Sequence, residues 1–401
     1  MARLISCFFS VILLSGAILA QATGSDSPKI SPSVPFSPDT WRFIVSGDSR
    51  NCGDIVMPAI AADSIQFRPS FYWHLGDLRA IYKIDEDMEF PAANDGSLLN
   101  CNLYLPRAWP DFIDHQIAAW GNVPFYVGIG NHEVIPPKDL LQFRRQFSAW
   151  LDQKSIRQQR ADDETNQAKD AQAKNEQPEE PAPPPTYYHW IQRSVDFIYL
   201  DNSSESIPGS QVEWLRGVLQ RARANKEVKS IVVGMHEALP HSLSNSHSMG
   251  GTPEGLTSGE IVYGMLLEFQ KQKPVYVLAS HSHFFMEDIF DTPELRAKGK
   301  PLPGWIVGTA GAERYPLPVP SSDKAKQDVY GYLVGTVSAE GKIRFAFQEI
   351  HEQDVPATVR RDYPASLIHW CFAHNSKNTD PVTGDDTPNC VPPSKPPEAK
   401  K

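Results

Sequence analysis

Residues 123–133 read VPFYVGIGNHE. Phe125 to Ile129 form an apolar, β-prone run, which passes through Gly130 into Asn131, His132 and Glu133. An apolar run that stops at once in polar residues marks the C-terminal edge of an α/β sheet, where sites are found. Taken alone, Asn-His after a glycine is equally well an ordinary turn. The same pattern recurs in WRFIVSGDSR (41–50), FYWHLGDLR (71–79), SIVVGMHE (230–237) and VYVLASHSH (275–283). Each run ends in Asp, Asn or His, and this repetition predicts strand tips gathered around one site.

Outward from these tips, strand and helix alternate from Trp41 to about Trp150, as an α/β architecture requires. Helices are expected over 58–67 and 109–120, and an irregular loop or capping excursion over 79–108. Residues 152–186 almost lack large apolar side chains and end in a proline run. Such a segment buries too little to offset its ordering entropy, so a mostly disordered insertion with a frayed helix at its start is expected. Two β-like runs follow in 187–203, and 211–224 is an amphipathic helix with Val212, Leu215, Val218 and Leu219 on one face. WIVGTAGA (305–312), YGYLVGTVS (330–338) and KIRFAFQEI (342–350) are expected as antiparallel strands closing a second sheet.

At the N-terminus, Arg3 precedes an apolar run from Leu4 to Ala20 and the small-residue site Ala20-Gln21-Ala22. This reads as a secretory signal peptide over 1–22, which predicts an extracytoplasmic protein, periplasmic or secreted. Residues 23–40 are a Pro- and Ser-rich linker, and no later stretch is apolar enough to span a membrane. Beyond the leader lie Cys52, Cys101, Cys371 and Cys390, an even number that favours two disulfides in an exported chain. Sequence order suggests Cys52–Cys101 and Cys371–Cys390, one of three connectivities, the second stapling a Pro-rich tail over 354–401. The formal net charge of −10 argues against a nucleic-acid-binding surface. It does not exclude an anionic substrate, because bound metal ions invert the local field.

The strand-tip residues are Asp48, Asp77, Asn131, His132, His236, His281 and His283. Carboxylate, amide oxygen and imidazole suit Mn, Fe and Zn. His281 and His283 are two apart, so on an extended backbone both rings share a face and could serve neighbouring ions. Gly47-Asp48, Gly76-Asp77, Gly130-Asn131-His132-Glu133, His236 and His281-Ser282-His283 resemble, in order, the motif series of the calcineurin-like metallophosphoesterases. The resemblance covers about 41–350 and implies a single catalytic α/β domain, placed here at 41–353. Its fold would be two packed mixed β-sheets flanked by helices. It implies two metal ions (Fe, Mn or Zn): Asp48 and His283 on the first, Asp77 bridging, and Asn131, His236 and His281 on the second. His132 would stand by the leaving-group oxygen as general acid or transition-state stabiliser, with a metal-bound hydroxide as nucleophile.

One position departs from the family pattern. Gly-Asp-x-His is usual at the first motif, whereas this chain has Gly47-Asp48-Ser49-Arg50. Purple acid phosphatases also lack that His but supply a Tyr three residues after the bridging Asp, where this chain has Ala80 and then Tyr82. The first metal is therefore expected to be one protein ligand short, and Arg50 is expected to clamp a phosphate oxygen, with a structural ion pair or a simple surface arginine as alternatives. His241 and His247 are expected in a solvated loop, with the substrate mouth as the alternative, and His74 as a buried, hydrogen-bonded strand residue. The expected activity is phosphomonoester hydrolysis on a phosphorylated small molecule, against a phosphodiesterase or a non-catalytic binder that lost the first metal.

Overall fold

The structure, a computed structural model, describes residues 40–94, 99–170, 183–244, 247–377 and 390. The expected signal peptide, nearly all of the linker, the middle of the 152–186 insertion and most of the tail after 377 lie outside the described residues. Among the described residues no helix is long and apolar enough to cross a membrane.

The strands in chain order are β1 (Trp41–Ser46), β2 (Tyr72–His74), β3 (Phe125–Val127), β4 (Tyr188–Gln192), β5 (Val195–Leu200), β6 (Ser230–Met235), β7 (Val275–Ala279), β8 (Phe285–Glu287), β9 (Gly304–Val307), β10 (Ala325–Lys326), β11 (Tyr330–Val337) and β12 (Ile343–Ile350). They form a five-stranded sheet in the order β12-β11-β1-β2-β3 and a seven-stranded sheet in the order β10-β8-β9-β7-β6-β5-β4. In the first, β1, β2 and β3 run parallel. In the second, β5, β6, β7 and β9 do. Their runs of Val, Ile, Phe, Tyr and Trp are buried on both faces, which is the condition that parallel strands need.

The two sheets pack face to face through aromatic side chains. Phe43 of β1 meets Phe197 of β5 edge-on at 4.9 Å, Trp73 of β2 meets Trp190 of β4 at 5.3 Å, and Tyr126 of β3 stacks on Trp190 at 3.8 Å. The Gly53–Ser64 helix packs its buried Ile55, Val56 and Ile60 beside the first sheet. The Gly209–Ala224 and Pro253–Gln270 helices cover the second with Leu215, Val218, Val262 and Leu266. Val212, Leu215, Val218 and Leu219 all face inward, as their spacing predicts. The chain is thus an α/β sandwich of two mixed sheets flanked by helices, the fold class that the sequence implied.

Several local expectations are corrected. The β11–β12 hairpin joins the first sheet, not the second: β11 pairs antiparallel with β1 from Trp41↔Val337 to Val45↔Leu333. Without it the buried strand β1 would keep a row of unpaired backbone groups. β9 does join the second sheet and pairs antiparallel with β8, but it lies parallel to β7. Residues 79–108 are no irregular loop, since helices occupy Glu86–Asn94 and Cys101–Asp111. The second starts at Asn100, whose side chain accepts the Leu103 N–H, and buries Tyr104, Ala108 and Trp109. The helix expected from 58 begins at Gly53.

The start of the insertion is ordered, as the Lys154–Asp170 helix. Its composition is poor in apolar groups, but Ile156 is buried and Asp163 pairs with His189 and Arg221, so ionic contacts supply what apolar area does not. The tail contributes helices at Ala357–Asp362 and Ala365–Ala373, burying Val359, Leu367 and Ile368 in the core, so the folded unit runs beyond 353. The disulfides are Cys52–Cys371 and Cys101–Cys390, not the sequence-order pairs. Cys52 and Cys101 each open a different helix, and each meets the returning C-terminal segment.

Candidate metal centre

Every site residue expected from the sequence follows the C-terminal end of a parallel strand: Asp48 after β1, Asp77 after β2, Asn131 and His132 after β3, His236 after β6, and His281 and His283 after β7. Both sheets present these ends to the same place. Asp48, Asp77 and His281 have φ of 59°, 57° and 64°, left-handed turns that swing the side chain back across the strand tip. Such conformations cost about 1 kcal/mol each and persist where the surroundings over-determine them. Here the Asp48 N–H donates to the Gly76 carbonyl at 3.0 Å, and the His281 N–H donates to Asp48 Oδ2 at 2.8 Å.

Three polar atoms of metal-ligand type converge on His236 Nε2: Asn131 Oδ1 at 3.0 Å, His281 Nδ1 at 3.1 Å and Asp77 Oδ1 at 3.3 Å. His236 Nδ1 lies 3.1 Å from both the Leu75 carbonyl, which can only accept, and Ser280 Oγ, so Nδ1 carries a proton and Nε2 is the atom that would turn a lone pair into the group once a cation displaces its proton. Lone pairs packed this closely call for a cation among them. Beside them, Asp48, Asp77 and His283 form a second group of possible ligands, with His283 Nε2 at 3.3 Å from Asp48 Oδ1. Asp48 Oδ1 and Asp77 Oδ2 are buried without a hydrogen-bond partner. A buried carboxylate oxygen left so costs free energy that a bound cation would recover.

The charges respond as this crowding requires. Burial disfavours the charge on His236, but Asp77 and Asp48 outweigh it and push its pKa up to about 10. Burial and the neighbouring His236 hold His281 well below its ordinary value. Burial raises Asp48, whereas His132 and His236 overcome burial to hold Asp77 well below the usual carboxylate range.

His132 donates from Nδ1 to the Ala80 carbonyl at 2.6 Å and turns Nε2 towards Asp77 Oδ2, 3.6 Å away. Burial first and then Arg50 push its pKa down to about 4. Arg50 does not reach outward. It is 6% exposed, its Nη2 lies 3.0 Å from His283 Nε2, and its Nε lies 3.8 Å from Asp77 Oδ2.

Glu133, which closes the third motif, accepts the N–H groups of Asp77, Leu78 and Gly130 with its carboxylate and clamps two strand tips together. The structure adds residues that the strand-tip pattern did not reveal. The Glu313 carbonyl accepts His283 Nδ1–H at 2.6 Å, and the Tyr315 ring lies 4.0 Å from the His283 ring. His247 is part-exposed in its loop and lies at the edge of the site, its ring 5.4 Å from those of His281 and Tyr315. His241 lies apart with Glu260 and Glu294. His74 is buried, held by Ser49 Oγ and the Gly76 N–H as expected. One more buried charge group, Asp54, Asp87 and Asp111 around Arg79, is internally paired.

No protein-family model matches the chain, and no curated protein does. Among solved structures, the chain is similar to purple acid phosphatase PPD1 from yellow lupin (Lupinus luteus) seeds, at 13% identity and TM-score 0.47, over 79% of this chain and 55% of that one. The chain therefore spans about half of the lupin protein's length. It is also similar to PhoD (14% identity, TM-score 0.45, 77% of this chain and 68% of that one). A third is GAP50, the anchor in the inner membrane complex of Plasmodium (14% identity, TM-score 0.42, 84% and 96%). All three scores are low, so the reading of the site rests on this chain's own side chains.

Proposed function

We propose that this chain is a metal-dependent phosphoesterase of the calcineurin-like type. The observation that carries the reading is the pair of buried carboxylate oxygens that receive no hydrogen bond, Asp48 Oδ1 and Asp77 Oδ2, at the place where the parallel strands of both sheets end. Asp77, Asn131, His236 and His281 fit a divalent cation of the Mn, Fe or Zn kind and would hold it, with Asp48 and His283 alongside. Such a cation supplies Lewis acidity, activating water and neutralising charge on phosphoryl oxygens.

The protein's own groups supply the rest. His132 is locked by the Ala80 carbonyl with Nε2 towards Asp77, so Nε2 is the atom that would take or give a proton at an ester oxygen. Arg50 sets a permanent positive charge beside it. Lys377, above the Tyr315 ring at 3.7 Å, adds a second positive charge near the site, since that ring borders those of His283 and His247. Two cations favour a substrate with two negative charges, so a phosphomonoester is the reading we hold, on a protein exported by the leader over 1–22.

The test is a panel of phosphomonoesters and diesters assayed with Mn, Fe, Zn and Mg after complete metal removal, on protein secreted from its own leader. Metal-dependent turnover, faster on monoesters, is expected. Faster turnover of diesters would shift the assignment to a phosphodiesterase. Metal uptake with no turnover of any ester would leave a binding protein.

A further inference from the structure

We propose that this centre holds one cation, not two, and that the guanidinium of Arg50 stands where the other would lie. The inference rests on the reading that Asp77, Asn131, His236 and His281 hold a cation.

The two groups of possible ligands look alike by composition but differ in one respect. The group around His236 consists of carboxylate, amide and imidazole groups that can each turn a lone pair to a cation, and no permanently charged donor enters between them. The group of Asp48, Asp77 and His283 has a donor inside it. His283 gives its Nδ1–H to the Glu313 carbonyl, which leaves a single lone pair on Nε2, the atom a metal would need. Arg50 Nη2 lies 3.0 Å from that atom and donates into the lone pair. One lone pair cannot serve a guanidinium and a metal at once. Arg50 Nε meanwhile faces Asp77 Oδ2, the other oxygen a first cation would use.

Charge points the same way. Arginine does not deprotonate in proteins, so the guanidinium remains positive however the centre is loaded. Asp48 and Asp77 bring two negative charges to the centre. One divalent ion and Arg50 already exceed them, and a second divalent ion in the same dry pocket would add strong repulsion. The sequence itself places Arg50 where the family usually carries a ligating His, so the donor in this group stands in the missing ligand's position. Arg50 thereby preserves positive charge next to the phosphate without a second metal.

The experiment counts ions. The whole protein is stripped, loaded with Mn2+ or, separately, Zn2+, desalted, and its metal content measured by elemental analysis, with electron paramagnetic resonance on the manganese form. One ion per chain is expected, with the spectrum of isolated ions. Arg50→His is expected to take up a second ion and show spin coupling between the pair. If that variant does not fold, two others carry the test: His283→Ala should leave the single ion and its dissociation constant within about twofold, whereas His236→Ala should abolish it. Two coupled ions in the wild-type protein, or loss of an ion in His283→Ala, would overturn the inference while leaving the phosphoesterase reading intact. A wild-type protein that takes up no ion and turns over no ester would overturn both.

Discussion

Replacing Gly130 by alanine isolates how tightly the strand tips are fitted. Gly130 has φ −113° and ψ −175°, a conformation open to any residue, so alanine brings no backbone penalty there. The cost is all in the added methyl. A Cβ at this position would lie 2.6 Å from the Asp77 backbone nitrogen and 2.8 Å from His236 Cε1, and nearest of all to Asp77 Oδ1. Normal carbon contacts are about 3.5–4.0 Å, so the Asp77 carboxylate must retreat by about 1 Å. Overpacking of this kind costs about 1–3 kcal/mol of stability, within what a large domain tolerates. The same shift pulls Asp77 Oδ1 from the His132 N–H and from His236 Nε2. A 1 Å misplacement is worth about 100-fold at a site built to this tolerance. At a metal concentration of 100 times the wild-type Kd, the wild type gains about 2.7 kcal/mol from binding and a 100-fold weaker variant only about 0.4 kcal/mol. Thermal melts with and without Mn2+ read the difference. Gly121→Ala is the control, because that residue has φ +55° and open space around its Cβ, so it should lose stability yet keep the full metal response. A Gly130→Ala protein whose melting point rises with metal as much as the wild type's would refute this account of the centre.

Three other perturbations have outcomes that the structure sets. His189, buried between Asp163 and Asp196, has its charge opposed by burial, but the two carboxylates raise its pKa to about 9. A pKa raised on folding stabilises fully below about pH 6.5 and loses that contribution as pH rises through about 9; at 1.36 kcal/mol per unit this is about 3 kcal/mol. Denaturant midpoints should therefore fall between pH 6.5 and 9.5, and His189→Gln should flatten that part of the curve. Arg79→Met leaves Asp54, Asp87 and Asp111 without their shared buried cation, and urea unfolding should show a loss of about 3–5 kcal/mol. Peptide mapping under non-reducing conditions should recover Cys52 linked to Cys371 and Cys101 linked to Cys390. Cys371→Ser should cost about 2–5 kcal/mol, and recovery of a Cys52–Cys101 peptide would contradict the pairing.

What could be read in advance was local. A strand that stops in Gly-Asp or Gly-Asn-His shows both its own end and its polar cargo within a few residues, so Asp48, Asp77, Asn131, His236, His281 and His283 could be named and their convergence expected. Contacts between distant positions were not readable. Arg50 and His283 are 233 residues apart, and nothing near Arg50 says that its side chain folds inward onto an imidazole. The membership of the β11–β12 hairpin depends on which edge of β1 is left bare, which alternation of side chains cannot report. The disulfides failed for a related reason, since the nearest cysteine in sequence need not be the nearest in space. The Lys154–Asp170 helix is polar enough to look unstructured because its anchorage is ionic, through Asp163 to β4 and to Arg221.

The pairing of β1 with β11 also constrains how the molecule is born. Trp41 finds its partner only in Val337, so the strand that carries Asp48 emerges from the ribosome long before the one that closes its flank. During that interval WRFIVS is a sticky, half-paired edge, and the loops at the strand tips of both sheets have no finished scaffold to hold them. A nascent chain interrupted anywhere before 337 would therefore lack the flank of β1 and be prone to self-association until the hairpin arrives.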